Sequence, residues 1–149
     1  MSGAGAARHG GRWNRPGQAT LYLSESIETA FAEYQQELGA RPGTFVAYDV
    51  TGGAVADVCD PRVLAELGAQ AADLLGPWKE AAFVEKVDPP TWTLTDRLQG
   101  RFDGVRVPSS QYRGGANLVL WRWNDDGGPA VEPFDPEFEL TPPANPGSG

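Results

Sequence analysis

A single cysteine, Cys59, a single histidine, His9, and only two lysines, Lys79 and Lys86, stand among 149 residues, and each scarcity removes a class of protein. One thiol cannot build an internal disulfide framework. With one imidazole beside it there is no Cys/His set for a structural zinc, so stability has to come from packing and no metal is expected. No stretch approaches the roughly 18 consecutive apolar residues of a membrane span, and the opening MSGAGAARHGG lacks the apolar core of a signal peptide. These absences point to an intracellular, cytoplasmic protein. Positive charge is also short: a formal net charge of −8 argues against a nucleic-acid backbone as the main partner, which would want a basic face. A small anion stays compatible, because distant charges are screened beyond about 8 Å at physiological salt. What the chain does have is five Trp, six Phe and four Tyr, enough to fill the core of one domain of this length. Arginines outnumber lysines ten to two, which together with the Ala, Gly and Pro content suggests a high-G+C bacterial genome.

Along the chain, Gly3, Gly5, Gly10 and Gly11 discourage regular structure in residues 1–9, which read as a flexible N-terminus. Thr20 to Ser24 reads as a short strand. The spacing of Ile27, Ala30, Phe31, Tyr34 and Leu38 predicts a helix over 27–38 with one buried stripe, Ser24 or Ser26 as N-cap and Gly39 as stop. Thr44 to Val50 suits a strand, and Ala54 to Val58 a short partner in a hairpin. Asp60-Pro61 opens a helix to about Leu67, and two short helices broken at Gly76-Pro77 follow. Thr91 to Gln99 is a further helix, Asp103 to Val107 a strand ended by Pro108, and Asn117 to Trp123 a strand central to the sheet. Ala130 to Leu140 offers an edge strand before a solvated Pro/Gly-rich tail at 141–149. The fold class is α+β, one domain over 10–140 with a central, mostly antiparallel sheet flanked by short helices.

The stretch from Gly10 to Tyr34 carries the chemistry. Arg12 sits beside glycines that let a ligand approach the backbone, Tyr22 lies on a strand, and Glu33 points roughly 120° away from the apolar centre of its helix, toward a cleft. Taken singly, such a tyrosine reads as core and such a glutamate as a solvated charge; Arg12 alone reads equally as a surface cation and Ser109 as a turn residue. Trp13 reads as packing the loop, and Cys59 as buried.

Three ordered blocks, GAARHGGRWNRPG, LYLSESIETAFAE and FDGVRVPSSQYRGGANLVLW, resemble the signature blocks of the RES domain, named for an arginine, a glutamate and a serine. The resemblance implies a fold similar to ADP-ribosyltransferases and a toxin of a bacterial toxin–antitoxin pair that depletes NAD, its substrate, by cleaving the nicotinamide–ribose bond, through water or inorganic phosphate. It implies a helix-turn-helix antitoxin as partner and leaves a homo-oligomer open. Carried over by position, the catalytic residues are Arg12, Tyr22 and Glu33, with Arg12, Trp13, Asn14, Tyr22 and Ser109 binding substrate. Arg12 would hold the pyrophosphate, Tyr22 stack on the nicotinamide, Glu33 hold the ribose hydroxyls and face the developing cation, and Ser109 bond the ligand or position Glu33. The family usually carries a further strand with another arginine upstream of the first block; here the sequence opens at that block, and Arg8 is the nearest substitute. Two alternatives stay open: an ADP-ribosyltransferase modifying a macromolecule, against which Phe31 stands where arginine-specific transferases carry a second Glu or Gln, and an interaction module whose catalytic pocket has decayed.

Overall fold

The computed structural model describes residues 2–39 and 41–137. Within them the chain runs through α1 (Ala4–His9), β1 (Leu21–Ser24), α2 (Ile27–Leu38), β2 (Tyr48–Thr51), β3 (Val55–Asp57), α3 (Pro61–Glu66), α4 (Ala71–Leu75), a π-turn (Glu80–Val84), α5 (Pro90–Leu98), β4 (Gly104–Pro108), β5 (Ala116–Leu120) and β6 (Ala130–Pro133). The local signals explain most of these boundaries. Ser26 Oγ accepts from the Thr29 N–H at the start of α2, Asp60 Oδ1 accepts from the Arg62 N–H at the start of α3, and Pro61 and Pro90 occupy first turns where their missing N–H costs nothing.

Four strands form one mixed sheet in the order β1-β5-β4-β3, in which β1 and β4 pair antiparallel with β5 and β3 pairs parallel with β4. β5 is therefore interior, as its apolar alternation suggests, although it ends at Leu120 and not at Trp123. β2 and β6 make a separate antiparallel pair. The hairpin expected of 44–50 and 54–58 is thus absent: both Gly52 and Gly53 take positive φ, and Ala54 leaves that turn to exchange bonds with Asp103, so β3 aligns with β4 in the other sheet.

Register assigns the two faces of the large sheet. Tyr22 stands opposite Val119, which stands opposite Val105, and Ser24 stands opposite Asn117, which stands opposite Val107, so these six residues share one face. That face carries the core, in which Val105, Val107 and Val119 pack with Trp13, Leu64, Leu74, Leu94 and Leu98 from the N-terminal loop and from α3, α4 and α5. The edge of the core face nearest β1 is where Tyr22, Ser24 and Asn117 emerge.

Two expectations are corrected here. Residues 4–9 form a helix despite Gly5, with Gly3 as a left-handed N-cap (φ 64°) closely packed on Thr20 and Trp123, a position where a Cβ has no room. The apolar stripe of α2 is not buried: Ile27 is 71% and Phe31 48% exposed. The helix packs instead through the opposite side, where Thr29 is fully enclosed. Gly115 permits that approach, since a Cβ there would collide with Thr29 Oγ1. The stripe lines an open hollow of about 990 Å³ shared with Phe45 and, at the β1 edge of the sheet, with residues of both faces, Tyr22 and Ser24 as well as Leu23 and Leu118. Part of the edge strand expected at 130–140, and the whole 141–149 tail, lie outside the described residues.

Candidate active site

Arg12 and Trp13 occupy the tip of a tight loop closed by reciprocal backbone bonds between Gly11 and Asn14, 3.0 and 3.3 Å. The loop is pinned from several directions. Trp92 Nε1 donates to the Gly11 carbonyl (2.8 Å), and Trp121 Nε1 and Thr95 Oγ1 donate to that of Trp13 (2.9 and 3.2 Å). This sends the Trp13 ring into the core, 2% exposed, and leaves the Arg12 side chain half-buried. One Arg12 nitrogen, Nη1, donates to the carbonyls of Leu74 and Gly76 at the end of α4, 3.1 and 2.6 Å away, where helix carbonyls lack intrahelical partners. Nε and Nη2 have no hydrogen-bond partner among the described residues, and they are the guanidinium edge free to meet an anion.

Tyr22 is divided in two. Its ring leaves the residue 39% exposed, whereas its hydroxyl is enclosed, accepting from the Trp13 N–H (3.0 Å) and donating to Asn14 Oδ1 (2.7 Å). Burial of that end pushes the phenol well above its ordinary pKa, against the Trp13 N–H and the Arg12 charge, so the hydroxyl stays protonated. Gly11 is required beneath it, because a Cβ there would collide with Tyr22 Oη. Asn14 is 0% exposed and spends its amide on the carbonyls of Ala6, Arg15 and Gln18. The side chains of Trp13 and Asn14 are thereby held inside the protein, where they shape the loop, and the Trp13 N–H and Asn14 Oδ1 anchor Tyr22.

Glu33 leaves α2 toward the core face, half-buried. Its Oε1 accepts from Ser109 Oγ (2.6 Å) and from Asn117 Nδ2 (2.9 Å). Ser109, just past the end of β4, is itself fixed: its Oγ also accepts from the N–H groups of Gln111 and Tyr112, 3.1 Å each. Of the two roles open to Ser109 in the sequence, the geometry shows the bond to Glu33. Oε2 has no partner among the described residues. Burial lowers the Arg12 pKa, and the Glu33 carboxylate acts electrostatically on the guanidinium in the other direction. A cation and a carboxylate with one free oxygen are thus within electrostatic reach of each other, and the loop that carries Arg12 is the one that anchors the Tyr22 hydroxyl.

Asn117 is the site residue that sequence reading missed. The available signal was an amide opening an otherwise apolar central strand, where a buried polar group needs a stated partner. Arg8 and His9 end α1, and no contact of either with Glu33 or Tyr22 is seen. Cys59 is half-buried, and burial chiefly raises its thiol pKa, which makes it a poor nucleophile. Among the described residues no group of three or more His, Cys, Asp or Glu could hold a metal ion, and no helix is long and apolar enough to cross a membrane.

The Thr29–Gly115 contact that seats α2 gives a first prediction. Gly115→Ala is expected to shift the helix and lower stability by about 1–3 kcal/mol, as overpacking does, and to reduce activity with it. Urea denaturation alongside an activity assay checks both, and an unchanged midpoint would contradict the packing described.

Comparison with known proteins identifies relatives of the whole chain and of its fold. The chain is 29% identical to the NAD(+) phosphorylase MbcT of Mycobacterium tuberculosis (strain ATCC 25618 / H37Rv) over 95% of its own length and 76% of the relative's, and equally to MbcT of Mycobacterium bovis (strain ATCC BAA-935 / AF2122/97). In fold it is similar to a chain of the crystal structure of the M. tuberculosis MbcT-MbcA toxin-antitoxin complex, with a TM-score of 0.64 and 24% identity, covering 89% of this chain and 74% of that one. The family model of the RES domain matches residues 1–142, and the chain belongs to the RES domain family.

Proposed function

We propose that the protein is a toxin that degrades NAD by breaking its nicotinamide–ribose bond, with inorganic phosphate as the acceptor and an antitoxin as its partner in the bacterial cytoplasm. The observation that carries the reading is Glu33: a half-buried carboxylate whose Oε1 is held by Ser109 and Asn117, whose Oε2 is left for a ligand, and which lies within electrostatic reach of Arg12. The phosphorylase assignment and the antitoxin are supported by the relatives' names.

The chemistry follows from charge. As the C1′–N bond lengthens, its electron pair leaves with nicotinamide and positive charge gathers on the ribose. A fixed carboxylate stabilises that charge where it develops, and it needs no reorganisation because Ser109 and Asn117 already hold it. Tyr22, anchored by its hydroxyl, presents a ring face on which the nicotinamide stacks. The free edge of Arg12 holds the pyrophosphate through charge-assisted bonds. A phosphate oxygen then bonds C1′, giving ADP-ribose 1″-phosphate and neutral nicotinamide. Phe31, which faces the apolar hollow, offers no polar group to orient a protein acceptor.

Proton and phosphorus NMR of NAD incubated with the protein tests the reading. One nicotinamide should appear per NAD lost, with ADP-ribose 1″-phosphate in phosphate buffer. Free ADP-ribose in phosphate would overturn phosphorolysis, and label transferred from NAD to macromolecules in a lysate would overturn the degradative reading altogether.

A further inference from the structure

Resting on the reading of Glu33 as the carboxylate that faces the reacting ribose, we propose that Asn117, oriented by Ser24, is a positioning residue for NAD cleavage. The pair is built by sheet register: Ser24 and Asn117 are direct partners across β1 and β5 on the core face. Ser24 Oγ lies 2.9 Å from Asn117 Oδ1. An amide oxygen can only accept, so the hydroxyl donates, and the Asn117 NH₂ is left pointing at Glu33 Oε1, 2.9 Å away. Turned round, the amide would set its oxygen against a carboxylate oxygen, two acceptors in contact. Ser24 therefore fixes which end of Asn117 meets the glutamate.

Two donors from different elements converge on the same carboxylate oxygen, Ser109 from beyond β4 and Asn117 from β5. Together they set the rotation of the carboxyl group and so the direction in which Oε2 points. A half-buried amide in a central strand needs partners for both its ends. Here one partner is Glu33 and the other orients the amide toward it, so the residue is explained by the site and not by the sheet.

A double-mutant cycle tests this on the full chain. Asn117→Ala should lower kcat about tenfold or more, the scale of losing a hydrogen bond to a charged group. Asn117→Asp, of equal size, should fall further because it sets a carboxylate against Glu33. Ser24→Ala should lie between wild type and Asn117→Ala, and Ser24→Thr, which keeps the hydroxyl, should recover most activity. In a Glu33→Gln background Asn117→Ala should cost less than about twofold, because residues acting through one another are not additive. A full, additive loss in that background would show a merely structural role and overturn the proposal, as would wild-type kcat in Asn117→Ala. The side-chain amide resonance of Asn117, followed without NAD, separates the two layers: it should move in both Ser24→Ala and Glu33→Gln. An unmoved resonance overturns the three-residue chain whatever the activity. A resonance that moves in a wild type inert toward NAD keeps the chain and overturns the reaction it was assigned to.

Discussion

Replacing Glu33 by glutamine is expected to slow NAD cleavage by about 10²-fold or more, the typical cost of removing one preorganised electrostatic group from a transition state, with the fold intact. The substitution preserves shape, and a glutamine carbonyl can still accept from Ser109 and Asn117, whose donors converge on a single oxygen. What is lost is the net charge and the free Oε2, which are the two features that oppose positive charge on the ribose. Substrate binding should change less than kcat, since the positive charge that NAD holds on its pyridinium nitrogen moves onto the ribose beside residue 33 only as the bond breaks. The Arg12 guanidinium would lose its strongest opposing charge. A Glu33→Gln protein that cleaves NAD at the wild-type rate would show that the carboxylate has no part in the chemistry.

Asn14→Ala should be the most destabilising change at the site, by about 3–4 kcal/mol, in the range reached when a buried hydrogen-bond network is broken. Asn14 is fully enclosed and bonds three backbone carbonyls with Nδ2 while accepting the Tyr22 hydroxyl on Oδ1. Alanine leaves those carbonyls without their donor and the Tyr22 hydroxyl without its acceptor, in a place where water has little access. The Gly11–Asn14 loop is the mount for Arg12 and Trp13, so activity should fall together with the melting temperature. Calorimetry of Asn14→Ala beside Tyr22→Phe checks the account. Tyr22→Phe removes only the hydroxyl and should cost about 1–2 kcal/mol; equal losses in the two variants would contradict the wider role given to Asn14.

Much of this was legible in the sequence where a local rule decides the outcome. The bounds of α2 follow from Ser26, the helical spacing and Gly39, and the interior place of β5 follows from its alternation. The carboxylate of Glu33 was correctly read as turning away from the apolar stripe. The stripe itself was misread, because hydrophobic period reports which side of a helix is apolar and not which side the fold covers. In α2 the buried side is chosen by Thr29 against Gly115 and by the bonds of Glu33, polar contacts that periodicity does not register. The hairpin failed for a similar reason, since spacing cannot tell that Ala54 and Asp103 will bond and set β3 beside β4 in the four-stranded sheet. Asn117 and Ser24 lie far apart in sequence, and only strand register brings them together.

The most direct test of the central claim is a crystal structure of the Glu33→Gln protein soaked with NAD. The account predicts the nicotinamide against the Tyr22 ring, the pyrophosphate on the free edge of Arg12 and the ribose beside residue 33, all on the core face of the sheet. NAD seated among Phe31, Phe45 and Leu118 and away from both Arg12 and Glu33 would contradict it.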